Sequence, residues 1–552
     1  MRNFSMRGYI IWKRRALSLL CCLLFLFAGC AKDSGVVDIF GSTSDIPNAS
    51  QLPLPNTADG ETGGTLRLNL PDIASLHPLE QVSEAVGNLF SLLFDPAIRV
   101  NADGSCSANI LESWELSEDG SEYTFSIRKN VAFHDASYGT VDAEDILFCL
   151  DYIVKHESAA LHAYVDGVES YEKVDDLTIR VRTSGKKRNL PYLFSFYVVP
   201  KEYYAPKKAS TKALPVGTGA YAVESYAEGE SMRLVRNASW WKVAPAYAAI
   251  ELTPVAEGRI ALGSDVFSDY EMLFTDSLAA GSLGVAGKVD VHQIRTPYLT
   301  CLVPNVYNRA MGDANLRRAI AYGVDRAKLI SSTLMGLGEA TVTPLSENFW
   351  AVNKTAQSTA AQDKSLALSY LEKAGYRTAE DGRQYTINSD GTRGYLSLRL
   401  LYMPSDGAYD LNGAVAQAIA ESLGEIGIRV ELVSQDADTY LSTLQKGNFQ
   451  LALCQFYMYA DQDLRFLFRD ACNYGNFHDS ALQQALTACA SALSEEEVQA
   501  AFTELQTQLV EKMPVIGLYY AEHCLLVNSS ISVPSKLCFA KVFQNINEWK
   551  QK

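Results

Sequence analysis

FDPAIRVNADGSCSANILESWELSEDGSEYTFSIRKNVAFHDASYGTVDAEDILFCL, residues 94–150, is the stretch from which the rest of the chain can be read. Asn101-Ala102-Asp103-Gly104 and Glu118-Asp119-Gly120-Ser121 are turn signals, because Asn and Asp side chains bond nearby amides and Gly accepts positive φ. Tyr123, Phe125 and Ile127 alternate with Thr124, Ser126 and Arg128, which predicts a strand with one buried face. Asp142 with Asp145 three residues on predicts a helix N-terminus, and Ile146, Cys149, Leu150 and Ile153 supply its apolar stripe.

With those residues in view, the run Asp119-Gly120, Tyr123-Thr124-Phe125, Arg128, Phe133-His134-Asp135 and then Ala143 and Asp145 resembles the signature of the family 5 solute-binding proteins of ABC importers. These are the oligopeptide-, dipeptide- and nickel-binding proteins. Ala136 stands where that pattern has Gly, and Asp142 where it has Thr. Further matches follow in order: Ser75-Leu76-His77-Pro78, Val174-Asp175-Asp176, Gly217-Thr218-Gly219-Ala220-Tyr221, Arg236-Asn237 with Trp240-Trp241, Arg317 through Arg326, and Pro514 to Tyr520. His77 replaces an Asp and is expected at the surface; Arg317 and Arg318 are expected on a solvated or ion-paired helix face. Between 257 and 303 the match thins to Gly287-Lys288-Val289-Asp290. Gly217 and Gly219 complete no phosphate-binding motif and read as a close-packed turn.

The first 29 residues carry Arg2, Arg7, Lys13, Arg14 and Arg15 and no acid, then an apolar run from Ala16 to Ala28. This is the pattern of an export signal, too short to span a bilayer comfortably. Leu26-Phe27-Ala28-Gly29-Cys30 resembles a lipobox, which makes Cys30 the expected lipidation site and places the protein lipid-anchored on the extracytoplasmic face of the cell membrane. Residues 30–63 read as a flexible polar tether. Without the five basic residues of the signal the formal net charge of −16 becomes −21, which argues against nucleic acid and against adhesion to anionic lipid. Of the 11 Cys, none has C-x-x-C spacing, and those beyond Cys30 read as scattered core thiols.

Length alone calls for two or three domains. The resemblance implies an α/β, two-lobed periplasmic-binding-protein-like fold with an additional small domain, mixed sheets and a ligand cleft between the lobes. Lobe I is expected from 64–94, 183–256 and 515–552, the extra peripheral domain from 95–182, and lobe II from 257–514. The second lobe also reads without the family. Leu396, Leu398, Leu400 and Tyr402 alternate; 412–425 is helical; 428–433 is a strand; 437–446 is helical; and 449–454 is an apolar run fit for a strand buried on both faces. Strand, helix, strand, helix, strand means a parallel sheet, which binds ligands beyond the carboxyl ends of its strands.

Two loops meet that condition, 403–410 and 455–463. Tyr402, Tyr457, Met458, Tyr459, Asp461 and Asp463 are therefore candidate ligand residues, with Gln81 and Ser83 facing them from the first lobe. Aromatic rings supply contact area and carboxylates receive an amine. In the resembling peptide binders an Asp in the second loop pairs with the peptide amine, and in dipeptide binders an Arg in the first loop takes the carboxylate. Counting across places Tyr459 and Gly407 there instead, so Asp461 is the expected substitute for the amine anchor.

The resemblance implies capture of oligopeptides by a monomer that delivers them to an ABC permease and ATPase, with no cofactor. A non-peptide solute, such as a metal chelate or a sugar, and a surface receptor for a peptide signal are the alternatives. A surface peptidase is the remote one, since GxSxG, HExxH and a paired Cys-His motif are missing. Seven scattered His give no support for a bare metal site.

Overall fold

A computed structural model describes residues 63–552 apart from 158, 160, 256–266, 268, 276–277, 279–287, 355–360, 408 and 470. The expected signal, Cys30, nearly all of the tether, and Gly287 lie outside the described residues. Among the described residues no helix is long and apolar enough to cross a membrane.

The chain opens with β1 (Thr65–Asn69) and α1 (Glu84–Leu93), then builds a small antiparallel sheet from β2 (Leu111–Leu116), β3 (Glu122–Ile127), β4 (Val168–Asp175) and β5 (Thr178–Thr183). Its order is β2-β3-β5-β4. β3 buries Tyr123, Phe125 and Ile127 on one face, as the alternation predicts. Helix α2 (Ala143–Lys155) covers this sheet and starts at the expected cap: Asp142 accepts from the amides of Glu144 and Asp145, and Asp145 accepts from the Asp142 amide. The two turn signals hold, with Gly104 at φ +76° and Gly120 at φ +74°.

The chain continues through β6 (Tyr221–Ala227), β7 (Ser231–Arg236), β8 (Ala249–Thr253), β9 (Met272–Thr275), β10 (Val289–Pro304), α3 (Ala314–Gly323), β11 (Gly338–Ala340), β12 (Ser397–Tyr402), α4 (Leu411–Gly424), β13 (Arg429–Ser434), α5 (Ala437–Gln445), β14 (Leu451–Tyr457), α6 (Glu495–Lys512) and β15 (Ile516–Asn528). One mixed sheet runs through both lobes in the order β13-β12-β14-β10-β15-β9-β1-β8-β7-β6, with β11 also on β15. β12 pairs parallel with both β13 and β14, the arrangement expected from the alternating elements.

The long strands β10 and β15 carry the chain from one lobe to the other. Their register shifts between Arg295 and Leu299, where the Thr296 hydroxyl donates to the Ala521 carbonyl at 2.8 Å. A bulge there bends the pair where the lobes meet. β9 and the first half of β10 pair with β1 and β15, so these segments sit in the sheet of the first lobe. That corrects the expected start of lobe II at 257. The small sheet packs on the first lobe through one continuous apolar cluster, with Phe125 and Phe194 ring centroids 4.3 Å apart.

The motif residues turn out to be structural. A Cβ on Gly219 would lie 2.4 Å from the Leu93 carbonyl carbon and 2.5 Å from the Phe94 nitrogen, so glycine is required by close approach. Gly219→Ala is expected to cost about 1–3 kcal/mol through overpacking, read as a lower unfolding midpoint. Arg317 is buried rather than solvated: its guanidinium donates to the Lys512 and Met513 carbonyls at the end of α6 and to those of Met311 and Gly312. Orphan carbonyls at a helix end explain why a cation is held there. His77 is likewise buried, stacked on Tyr152 at 4.8 Å, and not at the surface. All eight described cysteines are free thiols, and all but Cys106 are buried.

Candidate functional site

Tyr457 ends β14 opposite Tyr298 of β10, within the register shift between Arg295 and Leu299, so the loop after it starts at the junction of the lobes. Tyr457 and Tyr459 stand edge to face at 5.6 Å; Tyr298 meets Tyr457 at 5.7 Å, and Tyr164 of the extra domain meets Tyr459 at 5.8 Å. Tyr298 also reaches Phe539 of the C-terminal segment at 6.3 Å. Four tyrosines from three parts of the chain thus converge where the lobes meet. Such rings present large, rigid area with a polar tip.

The other expected residues are spread around this group. Met458 points the opposite way from its neighbours and lines a small cavity of about 50 Å³ with Asp103, Arg295 and Phe349. Gln81 and Ser83 line a cavity of about 480 Å³ with Asp72, Glu84 and Phe274. Ser83 is also the N-cap of α1, accepting from the Val86 amide at 3.4 Å. Tyr402 stands one step beyond the Leu401–Ala452 pair, four residues short of Tyr457 along β14, about 13 Å at the strand rise, and packs on the second lobe's core.

Asp461 departs from expectation. It is 1% exposed, its carboxylate accepts from Asn189 Nδ2 at 2.8 Å, and its own carbonyl accepts from Arg188 at 2.8 Å. Burial, together with the neighbouring charge of Asp463, pushes its pKa up. With the lobes arranged this way no surface of Asp461 meets an incoming amine, which corrects the expectation that it faces the ligand beside Tyr459. Asp463 is engaged as well, gripped by Arg465 at 2.9 Å; burial pushes its pKa up, but the Arg465 hydrogen bond and charge outweigh burial and hold it low.

Arg188 donates a further bond to the Cys489 carbonyl at 2.7 Å, and the Trp350 amide donates to the Asp103 carbonyl at 2.9 Å. Arg188, Asn189 and Asp461 therefore clasp one lobe to the other. Arg188→Ala is expected to favour lobe opening, seen as a larger radius of gyration in solution scattering without ligand; an unchanged radius would contradict this. Sequence alone missed Tyr164, Tyr298, Arg188 and Asn189, because single tyrosines and a lone Arg-Asn pair carry no spacing signal.

Two lobes on a pair of crossing strands, with an aromatic group at their junction, define a solute-binding protein. The chain belongs to the bacterial extracellular solute-binding proteins, family 5, whose middle-region model matches residues 106–475. It is 24% identical over 505 residues to the periplasmic oligopeptide-binding protein OppA of Escherichia coli, covering 84% of this chain and 88% of that one. Heme-binding protein A of Haemophilus influenzae is 26% identical over 295 residues, 48% of this chain and 53% of its own length. The match to the dipeptide-binding protein of E. coli spans 66% of that relative at 21% identity. Among solved structures, the unliganded open form of MppA, a periplasmic murein tripeptide binding protein, superimposes with a TM-score of 0.74 at 18% identity, over 90% of this chain and 98% of that one. A putative peptide binding protein AppA from Clostridium difficile gives 0.72 at 16% identity, over 89% and 100%.

Proposed function

We propose that the chain captures oligopeptides between its lobes and delivers them to an ABC permease and its ATPase, acting by binding without catalysis. It would do so as a monomer, held at the extracytoplasmic face by lipid on Cys30. The observation that carries this reading is the convergence of Tyr164, Tyr298, Tyr457 and Tyr459 at the lobe junction. Aromatic walls favour an extended main chain without demanding particular side chains. Broad coverage supports it: the oligopeptide-binding proteins of E. coli and Bacillus subtilis each match over 84% of this chain and 88% of theirs.

Ligand and lobe closure are linked, because each contact counts only by its preference for the closed state. With Asp461 engaged by Asn189, the amine of a peptide is not anchored through that carboxylate, and selectivity for a free N-terminus is expected to be weak. Calorimetric titration with tri-alanine and its N-acetylated form should give affinities within about threefold, less than 1 kcal/mol apart. Tyr459→Ala should weaken both at least about tenfold. Unchanged affinity in that variant would remove the tyrosine group from the site.

A further inference from the structure

On the second lobe, away from the tyrosine group, lies a cavity of about 600 Å³. It opens beside the start of β14, which reaches β12 only at Leu400 and Leu401, so that Arg399 pairs with β13 alone. Pro304 lies six steps along β10 from Tyr298, about 20 Å at the strand rise, and the cavity starts beyond Pro304. No lining residue belongs to the first lobe or to the tyrosine group.

Its walls are unusually rich in carboxamides: Asn305, Asn308, Gln435, Asn448 and Gln450, with Tyr307 at the mouth. Asn305 is locked, donating to the Gly447 and Phe449 carbonyls at 2.7 and 3.1 Å and accepting from the Tyr307 amide at 3.1 Å. That fixes the wall and the base of Tyr307, whose side chain is left 74% exposed. Gln450 accepts from the Arg399 amide at 2.8 Å through its oxygen, which turns its NH2 to the other side. The Gln435 carboxamide oxygen is buried with no hydrogen-bond partner among the described residues. The one charged lining residue, Arg399, has Glu431 at 3.5 Å, so the cavity presents little net charge.

We infer that this cavity is a second binding site, for a neutral saccharide. The Asn448 carboxamide, the Gln450 NH2 and the unpartnered Gln435 oxygen together offer donors and acceptors, the complement of vicinal hydroxyls that donate and accept in turn. A ring such as Tyr307 covers the apolar face of a pyranose, and the volume lies within the range of small-molecule sites, about 300–1,000 Å³. A charged ligand would find no uncompensated partner. The site does not depend on what the lobes capture.

The test is calorimetric titration of the full chain with maltotriose and with chitotriose, repeated on Tyr307→Ala and Asn448→Ala. Both side chains are exposed, so the variants keep the fold. At least one sugar is expected to bind, about tenfold more weakly to each variant, 1.4 kcal/mol apart, with tri-alanine binding unaltered. Three results would overturn the assignment: neither sugar binding at millimolar concentration, sugar affinity unchanged in both variants, or sugar displaced by tri-alanine.

Discussion

Asp95→Ala is expected to destabilise the first lobe by about 3–5 kcal/mol, because it strands a buried ammonium. The Asp95 carboxylate accepts from Lys242 Nζ at 2.7 Å and from the indoles of Trp240 and Trp241, both at 3.0 Å. Its amide accepts nothing but donates to the Thr218 hydroxyl at 3.2 Å, which ties in the glycine turn at 217–219. Burial lowers the Lys242 pKa to about 8, against the pull of Asp95, so removing the carboxylate would favour a neutral amine. Urea unfolding followed through Trp240 and Trp241 fluorescence measures the loss. A change below about 1 kcal/mol would show that the cluster is not a staple of the lobe.

His134→Gln is expected to be less stable than the parent at pH 7.5, and to recover by up to about 3 kcal/mol relative to it as the pH falls from 6.5 to 4. His134 Nε2 lies 3.1 Å from the Gly219 carbonyl, and the Gly217 amide donates to Nδ1 at 3.2 Å. Burial holds its pKa down to about 4, with the Gly219 carbonyl opposing. The unfolded chain therefore takes up this proton first, and the stability that neutral His134 contributes above pH 6.5 is lost on the way down to 4. His77, also pushed by burial to about 4, adds to that loss. Glu522 works the other way: burial, with Glu339 beside it, raises its pKa to about 7, so it gains stability as it protonates. The parent's own profile is thus shallower than either histidine implies, and the variant-minus-parent difference isolates His134. A difference that stays flat between pH 6.5 and 4 would contradict the assignment. Tri-alanine affinity should be unaltered in the folded variant.

Much of the fold was legible in residues 94–150. The Asp142 cap, the alternation of Tyr123, Phe125 and Ile127, and the two glycine turns depend on neighbours within a few positions, so local physics decides them. The parallel strands of the second lobe were legible too, since each hydrophobic period is complete within its own element. What failed was long-range. Arg317 looks solvated until α6, nearly 200 residues later, brings its carbonyl end alongside. The boundary at 257 failed because β9 pairs with β1 and β15, which no local pattern announces. For the site, Tyr457 and Tyr459 were readable as an aromatic loop at a strand end, whereas their partners Tyr164 and Tyr298 come from sequence-remote segments. Asp461 was misread for the same reason: its partner Asn189 lies 272 residues away.

Native mass spectrometry of the purified protein, before and after incubation with a mixture of di- to nonapeptides, tests the central claim most directly. A solute enclosed between closed lobes stays bound through gentle ionisation. Capture of oligopeptides predicts mass increments that resolve, after release, into peptide sequences of mixed composition. Bare protein after incubation, or increments that belong to a non-peptide solute alone, would contradict it.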